Sequence, residues 1–473
     1  MPFRVITYGV EQLVSLLAEK ATASTIEVAQ KKHIDYLTSY FAELDAKTIV
    51  VELDYIDHDY LEDYSNYYVK CFYDYHRKCA RLHFFQESFS SEDFSRVMAS
   101  ENEELLDKIK KTYLGFIVVK PLPKTIIGRS CLKTYPAAGA RHYPVTRKYS
   151  ANLFGIELEV SSLAYQEQDT VAAACATSAL WSVFHGTGML FHHAIPSPIE
   201  ITKAALEKSP AEERNLPNKG LNVVQLGHAI RHVGLDPYLV KATNAHILKG
   251  TAYAYLRAGI PVYFSIRLYG PSKISTESRF EFIGGHGVAI GGYKTESPNA
   301  QPMVGTGFLL RASRIDKLYV HDDQVGPFAW MGFDTEDIDA VQPNDPQRSS
   351  ISLSGLLTTS WFGGAGRALP NAILISLHYK IRISYDIIHD IVLEFDSILE
   401  LLRPQFLEVL TERIEWDIFL SQVNSFKSEL LESVALGNGL KESVLTEKMP
   451  RYIWRAIGTV DMVNICQVGT LLP

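Results

Sequence analysis

The spacing of apolar positions changes several times along the first 150 residues. Val10, Leu13, Val14 and Leu17 recur at helical spacing, and "TIVVEL" (48–53) has the β-branched content of a buried strand. Residues 58–80 predict one long helix, with Tyr60, Tyr64, Tyr67, Tyr68, Cys71, Phe72 and Tyr75 on a broad face. "SSEDFSRVMASENEELLDKIKK" (90–111) predicts one or two helices opened by Ser/Glu capping. "YLGFIVVKPLP" (113–123) reads as a strand stopped by Pro121 and Pro123. Further on, "QDTVAAACATSALWSVFHG" (168–186) is apolar on every side, the pattern of a buried helix with Cys175 in its first turn. "FEFIGGHGVAIGGY" (280–293) reads as a glycine-bearing loop, then His286 opening a strand buried on both faces. "KLYVHDDQVGPF" (317–328) is a short strand that runs into His321, Asp322, Asp323 and a turn at Gly326-Pro327. The stretch "GGAGRALPNA" (363–372) then precedes a region expected to be mainly helical. There Ile387, Ile388, Ile391, Val392, Phe395, Ile398, Leu399 and Leu402 form an amphipathic stripe ending before Pro404.

These patterns predict an α+β protein in three regions. Residues 1–150 form an α+β accessory region, 151–335 hold the candidate chemistry, and 336–473 are mainly helical. A chain of 473 residues is long for one core, which agrees with that division. A net charge of −8 argues against nucleic acid or an anionic membrane as the main partner. The N-terminal residues carry no secretory pattern, no apolar stretch is long enough to span a bilayer, and the last residues show no lipidation motif. The five cysteines (Cys71, Cys79, Cys131, Cys175, Cys466) are scattered and form no CxxC or Cys/His ligand pair. Neither a disulfide framework nor a zinc site is expected, and the reading is of a cytoplasmic protein without metal or organic cofactor.

Each chemical candidate has a plainer reading beside it. Cys175 at a helix N-terminus would have its thiolate favoured by the macrodipole and the free N–H groups, yet unpaired cysteine also fills cores as a small hydrophobe. His286, flanked by glycines at a strand start, suits a general base facing a cleft, or a core histidine with one nitrogen satisfied. Asp322, at the end of the next strand, could accept the imidazole Nδ1–H and fix its tautomer, or belong to an ordinary Asp-rich turn. "ELDYIDHDYLED" (52–63) invites a metal reading, but a solvated acidic entry to the following helix is the expectation. The adjacent His192 and His193 make poor co-ligands.

The order of the parts carries more than any one of them. A helix-initiating cysteine, a later Gly-flanked histidine and an aspartate ending the next strand resemble the bacterial papain-fold peptidases of the C39-like, bacteriocin-processing type. The resemblance covers about residues 165–330. It runs through "QDTVAAACATSAL", "NKGLNVVQLGHAIRHVGLDPYLVKA" (218–242), "YLRAGIPVYFSIRL" (255–268), "HGVAIGGY" and "YVHDDQVGPF". It implies a papain-like core, with Cys175 as nucleophile, His286 as proton acceptor and donor, and Asp322 as orienter. Asp322 is preferred to Asp323 by its position relative to Gly326. The oxyanion-hole glutamine of that family stands six residues before the cysteine, where this chain has Asp169. A one-residue bulge would bring Gln168 into the role, and Gln166 lies two residues further back.

The expected activity is that of an intracellular cysteine peptidase acting on a peptide or protein, with the outer regions packed on the core, directing access and available to a protein partner. A transglutaminase, deamidase or acyltransferase would use the same three groups, and a non-catalytic module would keep the fold for binding. The segments at about 270–282 and 294–312 are longer than the family pattern and are expected as loops beside the cleft.

Overall fold

In the computed structural model of the chain, residues 2–136, 140–169, 174–207, 220–272, 280–333, 336–341, 350–405, 412–432, 438–460 and 463–470 are described. The protein is a mixed α+β structure.

Its N-terminal part is a five-stranded antiparallel sheet. The strands are β1 (Phe3–Thr7), β2 (Thr48–Tyr55), β3 (Cys79–Phe85), β4 (Tyr113–Val119) and β5 (Ile127–Leu132), hydrogen-bonded in that order. β3 and β4 are buried along their whole length because helices pack on one face of the sheet and the rest of the molecule on the other. The Lys32–Glu43 helix contributes Ile34, Leu37, Tyr40 and Phe41 to the first of these layers. After β6 (Arg141–His142), a hairpin of β7 (Arg147–Leu153) and β8 (Ile156–Ser162) lays one face on the core, since β8 alternates buried and exposed residues.

The central sheet takes β6 from the first region, paired with β11, and its other strands from both later regions. It contains β9 (Asp236–Lys241), β10 (Val262–Pro271), β11 (Phe280–Thr295), β13 (Ile315–Asp322), β14 (Gly326–Gly332), β15 (Ile338–Val341), β16 (Ser350–Leu353), β17 (Leu357–Thr359) and β18 (Gly366–Leu377). β10 pairs with β18 on one side and β11 on the other, so β10–β18–β17–β14–β13–β11 closes into a ring. A third sheet is built from β12 (Leu309–Leu310), β19 (Glu415–Gln422), β20 (Tyr452–Val460) and β21 (Val463–Thr470).

The Cys175–Phe191 helix packs against β10, β11 and β13. It is buried all round, as its uniformly apolar sequence requires. Two of its glycines permit that closeness: a Cβ on Gly186 would stand 2.4 Å from Pro261 Cγ, and one on Gly188 would stand 2.6 Å from Ile195 Cγ1. One continuous core joins Phe3 and Val50, Leu180 and Val288, and Ile373 and Trp454, so the outer regions share their packing with the middle one.

Several expectations are corrected. The tyrosine-rich helix ends at Asn66, where Tyr67 turns away with φ −130°, and Cys71–Lys78 is not helical. Residues after 335 are not mainly helical: β17 and β18 complete the central ring, and β19–β21 form most of the third sheet. A boundary at 335 therefore cuts through one sheet, and a boundary at 150 cuts through β7. "GGAGRALPNA" leads not into a helical region but into β18, with Pro370 opposite Ile266 where the register shifts, a place a sheet tolerates proline. The acids of 52–63 are not all solvated: Asp57, Asp59 and Asp63 are buried. Asp57 caps the His58–Asn66 helix and pairs with Arg129 at 3.0 Å.

Candidate active site

Cys175 is the first residue of its helix, preceded by Ala174 in an extended conformation, and is partly exposed. The helix presses against β11, and on that strand His286 is the first residue of the buried half. His286 lies within β11 and not at its start, paired opposite Ile266 of β10. Gly287 beside it packs tightly, since a Cβ there would stand 2.4 Å from the Tyr263 hydroxyl.

Asp322 ends β13, and the tight β13–β14 turn pairs it with Gly326. Its Oδ1 accepts from His286 Nε2 at 3.0 Å and from the Gln324 backbone N–H at 3.1 Å. The Cys175 sulfur is among the groups that act on the same imidazole. With Nε2 on Asp322, Nδ1 is the nitrogen the acid leaves free, the reverse of the tautomer expected from the sequence. Burial presses the imidazole toward its neutral form. The Asp322 charge and hydrogen bond, the Cys175 sulfur and Asp323 outweigh it and hold His286 well above its usual range. Burial likewise pushes the Asp322 carboxyl upward, but His286, the Trp361 indole and the Gln324 N–H overcome it and bring it below the ordinary aspartate value. Both shifts favour the charged forms of the pair against the cost of burial.

The structure adds groups that the sequence did not single out. Trp361, just after β17, donates its indole N–H to Asp322 Oδ2 at 2.7 Å, and its ring lies edge-on to His286 with centroids 5.4 Å apart. Lys32, from the N-terminal helix, holds its ammonium 3.7 Å above the Trp361 ring. His33, next along, hydrogen-bonds the Asp323 carbonyl and the Tyr165 hydroxyl, each at 3.0 Å. Tyr36 of the same helix donates to the Pro327 carbonyl. The accessory region therefore buttresses the acidic turn directly. Trp361 stands in "TTSWFGGAG", and the only sequence signal was an aromatic beside a glycine run.

Asp323 is 3% exposed, and its Oδ1 lies 3.5 Å from His286 Nε2. Among the described residues, neither carboxylate oxygen has a hydrogen-bond donor beyond the residue's own backbone. Burial, reinforced by the neighbouring Asp322 and opposed by His286, pushes its carboxyl up to about 7. His286, Asp322 and Asp323 are the one group among the described residues whose donor atoms could converge on a metal ion. The hydrogen bonds from His286, Trp361 and Gln324 already account for Asp322 without an ion.

The glutamine position is less complete. Residues 170–173, where the bulge for Gln168 would fall, lie outside the described residues. Gln168 itself is only half-buried, between two anchored acids. Glu167 is held by Lys31 and by the N–H groups of Ile126 and Ile127, and Asp169 accepts from the Tyr68 hydroxyl. Gln166 is buried, and its side-chain Nε2 has no acceptor. The segment 294–312 does not border this site. It runs to the third sheet, where β12 pairs with β19. In the other long segment, β10 runs on to Pro271 and β11 begins at Phe280, with 273–279 outside the described residues. No helix among the described residues is long and apolar enough to cross a membrane. No family model and no curated protein matches the chain.

Proposed function

We propose that the protein is a cysteine-dependent acyl-transfer enzyme with a papain-like arrangement, acting as a peptidase on a peptide or protein. The observation that carries this reading is one imidazole with Nε2 on the buried Asp322 and with Cys175, at the start of the helix packed on the same strand, among the groups that act on it. A core histidine needs one satisfied nitrogen, and a core cysteine needs none. Joining both to a carboxylate in a desolvated pocket is the arrangement of an activated nucleophile.

In the proposed reaction, the Cys175 thiolate attacks the substrate carbonyl carbon and forms a C–S bond. The His286 imidazolium gives its proton to the departing amine as the C–N bond breaks. Neutral His286 then removes a proton from water, whose oxygen attacks the thioester and releases the acid and the thiol. Asp322 keeps Nε2–H in place throughout, and Trp361 with Gln324 keeps Asp322 in place. The negative oxygen of the tetrahedral species would be met by the Cys175 backbone N–H at the helix start and by a glutamine amide. Gln168 and Gln166 are the two candidates for that amide, and Gln166 is the one whose buried Nε2 has no acceptor among the described residues. No step calls for a metal or an organic cofactor.

The test is labelling of the full chain by a peptidyl vinyl sulfone, with the adduct mapped by peptide mass spectrometry. Modification at Cys175 that is lost in His286→Ala is expected. No adduct at Cys175, or equal labelling in the variant, would overturn the reading. An amine acceptor that competes with water for the thioester would move the assignment to a transglutaminase or acyltransferase.

A further inference from the structure

A separate cavity of about 780 Å³ opens where the central ring meets the third sheet. Its walls come from β11, the Ala245–Arg257 helix, the 294–314 segment and β19–β20, and they carry four arginines, Arg257, Arg311, Arg314 and Arg413. The size is that of a small-ligand site, and the junction of two structural units is a usual place for one.

The guanidinium groups are not equivalent. Arg314 is matched by Glu415, which accepts from it twice, and Arg413 by the buried Asp396. Arg257 and Arg311 share a single carboxylate, Asp417, at 3.4 and 3.8 Å. That carboxylate also accepts from the Tyr253 hydroxyl at 2.8 Å. Two cations over one anion leave a positive charge beside His142, while Glu412, which also lines the cavity, brings the whole wall close to balance. The neighbouring His142 registers that charge: burial first, then the charges of Arg257 and Arg311, move its imidazole below the usual range.

Arg257 is fixed by its bond to Tyr253 at 2.7 Å and by stacking on Phe419 at 4.0 Å. Arg311 is half exposed, with no bond as short. Thr295 adds a hydroxyl to the same wall, where the Ser297 hydroxyl is already given to the Asn299 carbonyl. Donors converging from several directions suit a tetrahedral oxyanion better than a planar carboxylate, and arginine forks suit phosphate. His142 and Tyr293 both line the cavity and stack with centroids 5.0 Å apart, a flat aromatic surface beside the charged end.

We infer that this cavity binds a small phosphate ester, with the phosphate on Arg311 and Arg257 and a planar ring against the His142–Tyr293 pair. The inference stands whether or not Cys175 is a nucleophile. The site lies at the far end of β11 from His286, with Tyr293 seven positions further along the strand.

The test is isothermal titration of the full chain with a nucleoside monophosphate and with inorganic phosphate. Both are expected to bind, the nucleotide more tightly. Arg311→Ala, at an exposed position, should weaken both by about tenfold or more through loss of a charge-assisted hydrogen bond. His142→Ala should weaken the nucleotide alone. The unfolding midpoint of each variant shows that the fold is kept. Absence of binding by either probe to the wild type, or affinities unmoved by Arg311→Ala, would overturn the inference.

Discussion

Asp323→Asn tests the electrostatic description of the site without any substrate. Asp323 is enclosed, its oxygens lack donors beyond its own backbone among the described residues, and its carboxyl is pushed from 3.8 to about 7, chiefly by burial. An acid raised in the folded state carries no penalty below its unfolded value. The penalty grows as pH climbs from 3.8 and levels off above about 7. At ~1.4 kcal/mol per tenfold change, the cost is on the order of 1–2 kcal/mol at pH 5 and about 4 kcal/mol at pH 8. Asparagine has nearly the same shape and does not titrate. Whatever its amide loses for want of partners is the same at both pH values. The stability of Asp323→Asn relative to wild type should therefore rise by about 2–3 kcal/mol between pH 5 and pH 8. Urea unfolding of both proteins at each pH measures it. A flat difference would mean the carboxyl is not raised. A difference that falls with pH would mean Asp323 is ionised and supports His286, making it the third member in place of Asp322.

Further outcomes follow from the same geometry. Asp322→Asn should lose the most stability between the unfolded aspartate value of 3.8 and the unfolded histidine value of 6.5. The depressed carboxyl contributes above the first, and the raised imidazole contributes below the second, fading as pH rises through the folded histidine value. Urea unfolding across pH should show that window. Trp361→Phe removes the indole donor to Asp322 Oδ2 and should cost about 1.5–3 kcal/mol at neutral pH, read from the unfolding midpoint. Gln166→Ala should slow vinyl sulfone labelling of Cys175 more than Gln168→Ala does, since only the Gln166 amide is buried with an unused donor.

The parts of the site encoded within a few residues were legible in the sequence. A helix start, a glycine-flanked strand and a strand-ending turn each fix a local backbone path, so the locations of Cys175, His286 and Asp322 could be proposed from spacing. What the turn meets could not. Lys32, His33 and Tyr36 arrive from a helix nearly 300 residues away, and Trp361 from a strand connection, so no local pattern announced them. The tyrosine-rich stretch was misread because its aromatic spacing continues past the helix end, where Tyr68 turns to donate to Asp169 and Phe72 is left exposed. The strand through Pro370 was not foreseen, because proline in a strand is acceptable only at an irregular pairing that the sequence does not display.

The central claim is that His286 holds Cys175 as a reactive thiolate. Its most direct test is the rate of Cys175 alkylation by iodoacetamide across pH, read by peptide mass spectrometry in wild type and His286→Ala. The account predicts that Cys175 of the wild type is labelled much faster than Cys175 of the variant at the same pH. Slow labelling in both proteins, rising only toward the ordinary thiol range near pH ~8.5, would contradict it.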